Sequence, residues 1–506
     1  MTTVQSATCQ EGEAKSSLEY RRALTALMLV VAAFISLSSA PVDDALRHVG
    51  LAFAEHRSWG EVYPHSVFSQ YPGYDPWWGF DLTLRRIAEL AGILPLPRLT
   101  MQFLAVKTLS FALLAAFLLL AVRRAGVPRE VRSPAGLVAA AALVGLFLAA
   151  PIARVLTVRP FILGTLYLLL ALPGGGAVRG ALSAGALAFF YPYLFWIYTL
   201  PVAAAHLVRG DRSYGAAAVA ATVAAVAVQP ADFWGLLRDL ARSEAVRALI
   251  DVKITEFSPA TQEPLLALLV ILPLVCAMPF LPAASRRIGV PHLLMLFFAP
   301  AAVKYVRYLI DVELTMLFVV CAGGLLPRWI PVVERIGAFW EHAAHNALAR
   351  LPVGRNPDRG RVKVTNLRPW IGLGATALAV IVGLVGLERQ GEYRDLEHAL
   401  ETIPPGSLVL TEFNPQYALL YVRPDLRLVP SCEIGFPAEA IRKPYIHFLN
   451  EGDPCALAAA VGADRFVSAG GLSLALEGTR CLERVDSPRL KGRFRSLALW
   501  KTTASP

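Results

Sequence analysis

Long apolar runs decide what this chain can become. Ala23 to Ala40 is the first, preceded by Arg21 and Arg22. Further runs lie near 101–121, 135–156, 157–173, 179–194, 195–208, 214–229, 264–281, 289–303, 309–326 and 369–387. A bilayer core about 30 Å thick needs roughly 20 mostly apolar residues per helix, so the pattern predicts a mainly α, polytopic bundle of about 11 transmembrane helices. The nearly continuous block from Arg159 to Val208 divides at "PGGG" (Pro173–Gly176) and at "YPY" (Tyr191–Tyr193). Composition agrees, with 56% hydrophobic and 17% charged residues, because a soluble domain has relatively more charge. A polar segment precedes the first run and no clean A-x-A site follows it. That run therefore reads as a retained helix rather than a cleaved signal.

Basic residues set the orientation. Alternating the spans gathers Arg21/Arg22, Arg123/Arg124/Arg129/Arg132, Arg209/Arg212, Arg286/Arg287 and the loop from Arg328 to Arg368 on one side. The positive-inside bias makes that side cytoplasmic, with the N-terminus inside. The opposite side receives the 41–100 loop, the Arg159 turn, the 230–263 loop, the Lys304–Arg307 turn and everything after Leu387. The net charge of +10 is then mostly a topology signal. No basic stripe with interleaved aromatics argues for nucleic acid.

Two regions follow: a transmembrane body over 1–387 and a periplasmic or extracellular α/β domain over 388–506. Within the first outside loop, 41–100, two segments carry helical apolar faces. They are Leu46, Val49, Gly50 and Phe53, and then Leu82, Leu84, Ile87, Leu90 and Leu94. Both read as amphipathic helices on the membrane surface, with the Tyr and Trp of "YPGYDPWWGF" suited to the headgroup layer. In the tail, strands are predicted at 407–413, 426–431, 465–470 and 494–502. Helices are predicted at 414–422, 437–450 and 454–462. The tail has no dinucleotide fingerprint and no nucleophile elbow, so it is expected to shape a site rather than carry chemistry. Of its three cysteines, Cys432, Cys455 and Cys481, one pair can form a disulfide in an oxidising compartment.

Ionisable residues collect on the outer face. Asp43 and Asp44 stand side by side where the chain leaves the first span. One acid serves as a helix cap, and Arg47 and His48 lie at i+4 for ordinary ion pairs. A second acid has no such structural need. Asp75 and Asp81 lie among aromatics, with Asp81 also readable as a cap. Arg159 lies at a span boundary and Lys107 inside the second span near its outside end, where a long side chain can snorkel. Glu256 belongs to the middle outside loop. Lys304, Arg307, Asp311 and Glu313 share one turn, where Arg307 and Asp311 are spaced for an ion pair. Such residues are costly near a bilayer and tend to face a water-filled cavity. Carboxylates and guanidiniums together can hold a phosphate while activating a hydroxyl.

These features resemble the membrane-integral glycosyltransferases of the GT-C superfamily. "PVDDALRHV" directly after the first span is similar to that family's acidic motif. "DPWWG", "TEFSP" and "KYVRYL" resemble patterns of bacterial members, and the α/β tail fits as well. No W-W-D-Y-G-type motif accompanies them, which speaks against transfer to protein asparagine. The resemblance implies an inverting transferase of the cell inner membrane. It would move a sugar from a polyprenyl-phosphate donor to a hydroxyl of a glycan, lipid or protein acceptor. Asp43 or Asp44 is then the base or a ligand, with its neighbour, of a divalent ion such as Mg2+ or Mn2+. Arg159 and Arg307 hold the phosphate. Glu256, Asp75, His48 and Lys304 complete the substrate-binding set. The competing reading is a transporter or flippase for a lipid-linked or small anionic substrate, although no internal repeat supports it.

Overall fold

The computed structural model describes residues 2–39, 44–53, 58–72, 74–131, 133–156, 160–253, 289–304, 308–322, 325–349, 388, 390–412, 415–429, 436–469, 476, 479–485 and 490–503. Helix α1 (Thr2–Ser38) leads into α2 (Asp44–Ala52), α3 (Trp59–Val62), α4 (Trp78–Ala91) and α5 (Arg98–Arg124). There follow α6 (Val127–Glu130), α7 (Pro134–Leu156), α8 (Ile162–Ala171), α9 (Ala177–Phe190), α10 (Trp196–Val208), α11 (Arg212–Ala227), α12 (Ala231–Arg242) and α13 (Glu244–Lys253). The body continues with α14 (Val290–Lys304), α15 (Leu309–Ala322) and α16 (Leu325–Ala349).

Among the described residues, two helices are long and apolar enough to cross a membrane, Glu19–Ser38 and Arg98–Arg124. Two bent pairs reach that length together. Arg212–Ala227 and Ala231–Arg242 turn by 90°, and Asp311–Ala322 and Leu326–Ile336 by 84°. The expected span at 135–156 matches α7 in extent, while those at 157–173, 179–194, 195–208 and 289–303 coincide with apolar helices that are individually shorter. Those expected at 264–281 and 369–387 lie outside the described residues. The breaks have local causes. Gly174, Gly175 and Gly176 take φ of 66°, 117° and 87° between α8 and α9, a backbone that residues with a Cβ avoid. Tyr191 to Phe195 turn the chain from α9 to α10.

The tail is a small α/β unit. Strands β1 (Leu408–Thr411), β2 (Arg427–Leu428), β3 (Arg465–Ser468), β4 (Leu482–Arg484) and β5 (Ala498–Thr502) form one sheet in the order β2-β1-β3-β5-β4. The β1 pairings are parallel, and β5 runs antiparallel to β3 and β4. Helices α17 (Pro415–Val422), α18 (Arg442–Glu451) and α19 (Cys455–Val461) complete it. Cys455 and Cys481 form a disulfide. Every strand and helix expected from the sequence is present in shortened form, and β4 is added.

The tail covers the first loop. Arg98, at the start of α5, donates to Glu397 Oε1 and to Val422 O, each at 2.6 Å. Val67 N donates to Phe436 O at 2.7 Å, and Ala438 N to His65 O at 2.9 Å. Helix α2 is packed between α17, α4 and α5, and every residue from Ala45 to Leu51 is buried. The expectation that α2 lies on a membrane surface is therefore corrected: its polar side chains have protein partners. Gly50 makes this packing possible, since a Cβ there would stand 2.5 Å from Leu420 O. Helix α4 behaves closer to expectation, burying Phe80 and Leu84. Beyond its end Ile93 is 78% exposed and Leu94 53%.

Candidate functional site

Three structures converge around the acidic motif. The first is the end of α1. Four residues separate Ser39 from Asp44. The backbone is described from Asp44, which opens α2, while Asp43 and the Asp44 side chain lie outside the described residues. Lys107 of α5 donates to Ser36 O at 2.9 Å and also to Ser39 O. It is buried, so the expectation of snorkelling is replaced by a lysine that closes a helix end.

The second is a buried polar cluster under α2. His48 Nδ1 donates to Asp81 Oδ1 at 2.6 Å, and Trp59 Nε1 to Asp81 Oδ2 at 2.9 Å. A carboxylate only accepts, so the ring proton faces Asp81. Trp59, Trp77 and Phe80 stand edge-on around the imidazole, with centroids 5.2–5.5 Å from its own. His48 Nε2 has no hydrogen-bond partner among the described residues. The i+4 pairing with Asp44 is thus displaced for Nδ1 by a partner from α4. On the same helix Arg47 lies over the Tyr417 ring of α17, 5.4 Å from its centroid. Asp81 is not a cap: the N-cap position of α4 is Trp77, without a side-chain cap bond. Asp75 takes the local turn instead, accepting from Trp77 N at 2.9 Å.

The third is a cleft of about 440 Å³ whose lining includes Tyr74, Asp75, Trp78, Phe189, Val228 and Gln229. It lies where α4 meets the end of α9 and the bend between α11 and α12. Gly79 lets these elements touch, as a Cβ there would collide with Phe189 O. Asp75 is half-buried as a residue. Withdrawal of its carboxyl from water raises its pKa well above the ordinary carboxylate value, and the negative charge of Asp81 raises it further. Asp75 thereby keeps its proton to a higher pH than an ordinary carboxyl, at a largely apolar wall. Tyr71 ties this loop to α12 through Asp239.

A separate polar group lies in the body. Asp311 is fully buried, accepting from Thr165 Oγ1 at 3.1 Å and Tyr198 Oη at 3.2 Å. Phe161 and Tyr308 stand beside it with centroids 6.3 Å apart. Arg159, Glu256 and Arg307 lie outside the described residues, as does the side chain of Lys304. Of the residues selected from the sequence, the structure therefore brings together His48 and Asp75, joined through Asp81. Sequence reasoning missed the roles of Trp59, Asp81 and Tyr198. The signal available for Asp81 was a second acid in an aromatic-rich segment.

Among the described residues one trio of metal-type donors is close enough to share an ion, Asp453, Cys455 and Cys481. Its two cysteines are joined in the disulfide and do not serve. The expected Mg2+ or Mn2+ falls on Asp43 and Asp44.

No family model and no curated protein matches the chain. Among solved structures it is similar to ArnT from Cupriavidus metallidurans bound to undecaprenyl phosphate. The identity is 14% and the TM-score 0.48, with 96% of this chain and 99% of that chain covered. It is also similar to the apo state of the same protein, at 14% identity and a TM-score of 0.46, covering 96% and 98%.

Proposed function

We propose that this chain is a glycosyltransferase of the GT-C class in the cell inner membrane. It takes a sugar from a polyprenyl-phosphate donor and passes it to an acceptor hydroxyl at the outer face. The observation that carries the reading is the burial of α2. The helix that opens with Asp44 is enclosed by the body on one side and the tail on the other. Next to it lies a cleft with a single carboxyl, Asp75, among apolar and aromatic side chains. A purely structural acid pair has no need of that enclosure.

The chemistry follows from the donor. Nucleotide sugars are cytoplasmic, so an outward-facing transferase needs a donor carried by lipid. One member of the acid pair removes the proton from the acceptor hydroxyl as its oxygen attacks the anomeric carbon. The bond from that carbon to the phosphate oxygen breaks, and the lipid phosphate leaves with the electron pair. Arg159 and Arg307 hold the leaving phosphate through paired donors. A direct displacement inverts the anomeric centre. Asp75, protonated, donates a hydrogen bond to sugar or acceptor. His48 fixes α2 through Asp81 and so contributes to the substrate-binding wall. Glu256 and Lys304 approach from the other outer segments. A divalent ion on Asp43 and Asp44 would lower the charge of the phosphate when bound.

Native mass spectrometry of the purified protein in lipid discs tests this reading. The expected result is saturable binding of a long-chain polyprenyl phosphate and weak binding of the matching polyprenol. Equal binding of the two lipids would contradict a phosphate-holding site.

A further inference from the structure

Lys107 carries an inference that sequence reasoning did not reach. It sits inside α5, about 14 Å along the helix axis from Arg98 at 1.5 Å per residue. Its ammonium is nearly sealed from solvent at 4% residue exposure. A buried charge is costly unless it is paired and hydrogen-bonded. Its partners include Ser36 O, in the last turn of α1, and Ser39 O, just beyond that helix.

Carbonyls at a helix end lack the i+4 backbone donor of their own helix, and a bilayer core offers no water in its place. They also form the negative end of the helix dipole, which favours a cation. A local serine already serves one of them: Ser39 Oγ donates to Ser36 O at 3.1 Å. Ser36 O therefore has a donor without the lysine. Lys107 adds a link from the end of α1 to a second helix.

The place of that link matters. Asp43 follows Ser39 by four residues, so its Cα lies at most about 14 Å away at 3.6 Å per residue. On the other side α2 is fixed by His48, Asp81 and the tail. We propose that Lys107 is a positioning residue that pins the end of α1 and so sets where the acid pair stands. The catalytic half of this inference rests on the proposed transferase reading; the pin itself does not.

Two readouts separate these halves. Nitroxides are placed at Leu37 and Leu104, both exposed on their helices, with Cys9, Cys276, Cys321 and Cys432 replaced by serine. Pulsed dipolar spectroscopy is expected to give one narrow distance distribution in the parent. Lys107→Met should broaden or shift it, while Lys107→Arg and Lys107→Gln, which keep donors, restore it partly. An unchanged distribution in Lys107→Met would overturn the pin. Transfer kinetics form the second readout, with each variant normalised to folded protein. The expected result is a kcat about ten- to a hundred-fold lower in Lys107→Met, with KM for the lipid donor unchanged and kcat largely rescued by Lys107→Arg. Broadened distances with unchanged kcat would overturn the positioning role. Absence of transfer in the parent with a clear distance effect would instead count against the transferase reading and leave the pin standing.

Discussion

His48 and Asp81 are 33 residues apart in sequence and 2.6 Å apart in the fold. The same carboxylate takes the indole N–H of Trp59. One side chain of α4 thus satisfies donors from two other segments in a site closed to water. Asp81→Ala should leave both donors orphaned and cost about 2–3 kcal/mol, whereas Asp81→Asn should cost less. A thermal-unfolding cycle with His48→Gln should show coupling of at least about 1 kcal/mol. Additive losses would mean that the two side chains stabilise the loop independently.

The contact between α2 and the tail is backbone against backbone at Gly50. Gly50→Ala is expected to push Leu420 away and cost about 1–3 kcal/mol through overpacking. The tail should become easier to remove by limited proteolysis, because α17 loses its seat. Unaltered protease resistance and melting would show that the interface gives way without cost.

Asp75 makes stability depend on pH in a definite direction. Its carboxyl stays protonated in the fold, through burial and then the Asp81 charge, at pH values where the unfolded chain has already lost the proton. The folded state then binds more protons than the unfolded state. Stability from this group falls as pH rises above the unfolded carboxylate value, until the folded pKa is passed. Asp75→Asn removes the dependence. The variant should gain on the parent progressively as pH rises above about 4 in melting experiments, since the ordinary carboxylate pKa is near 3.9. A constant difference across that range would contradict a protonated Asp75.

Much of the fold was legible because it is written in local pattern. Strand-like and helix-like segments alternate along the tail, and the "PGGG" and "YPY" breaks carry their own turn chemistry. Strand β4 was missed, being three residues long without a buried face. The burial of α2 was not legible. Arg47 and His48 look like a solvated face until Tyr417 and Asp81 arrive from distant segments. Lys107 looked like a snorkelling residue because its partners are backbone carbonyls, which no side-chain pattern announces. For the site, the acidic pair and Asp75 were marked by residue type and position. The link from Asp75 through Asp81 to His48 depends on tertiary packing, which the local windows do not contain.

The account stands most directly on the acid pair. Asp43→Asn, Asp44→Asn and the double variant should insert and fold, because Asn also caps a helix well. General base catalysis is worth about a hundred- to ten-thousand-fold. Transfer from a polyprenyl-phosphate sugar by the purified protein in lipid discs should fall by that factor in at least one single variant and in the double variant. Full activity in all three would contradict the central claim and leave Asp43 and Asp44 as residues of a helix start.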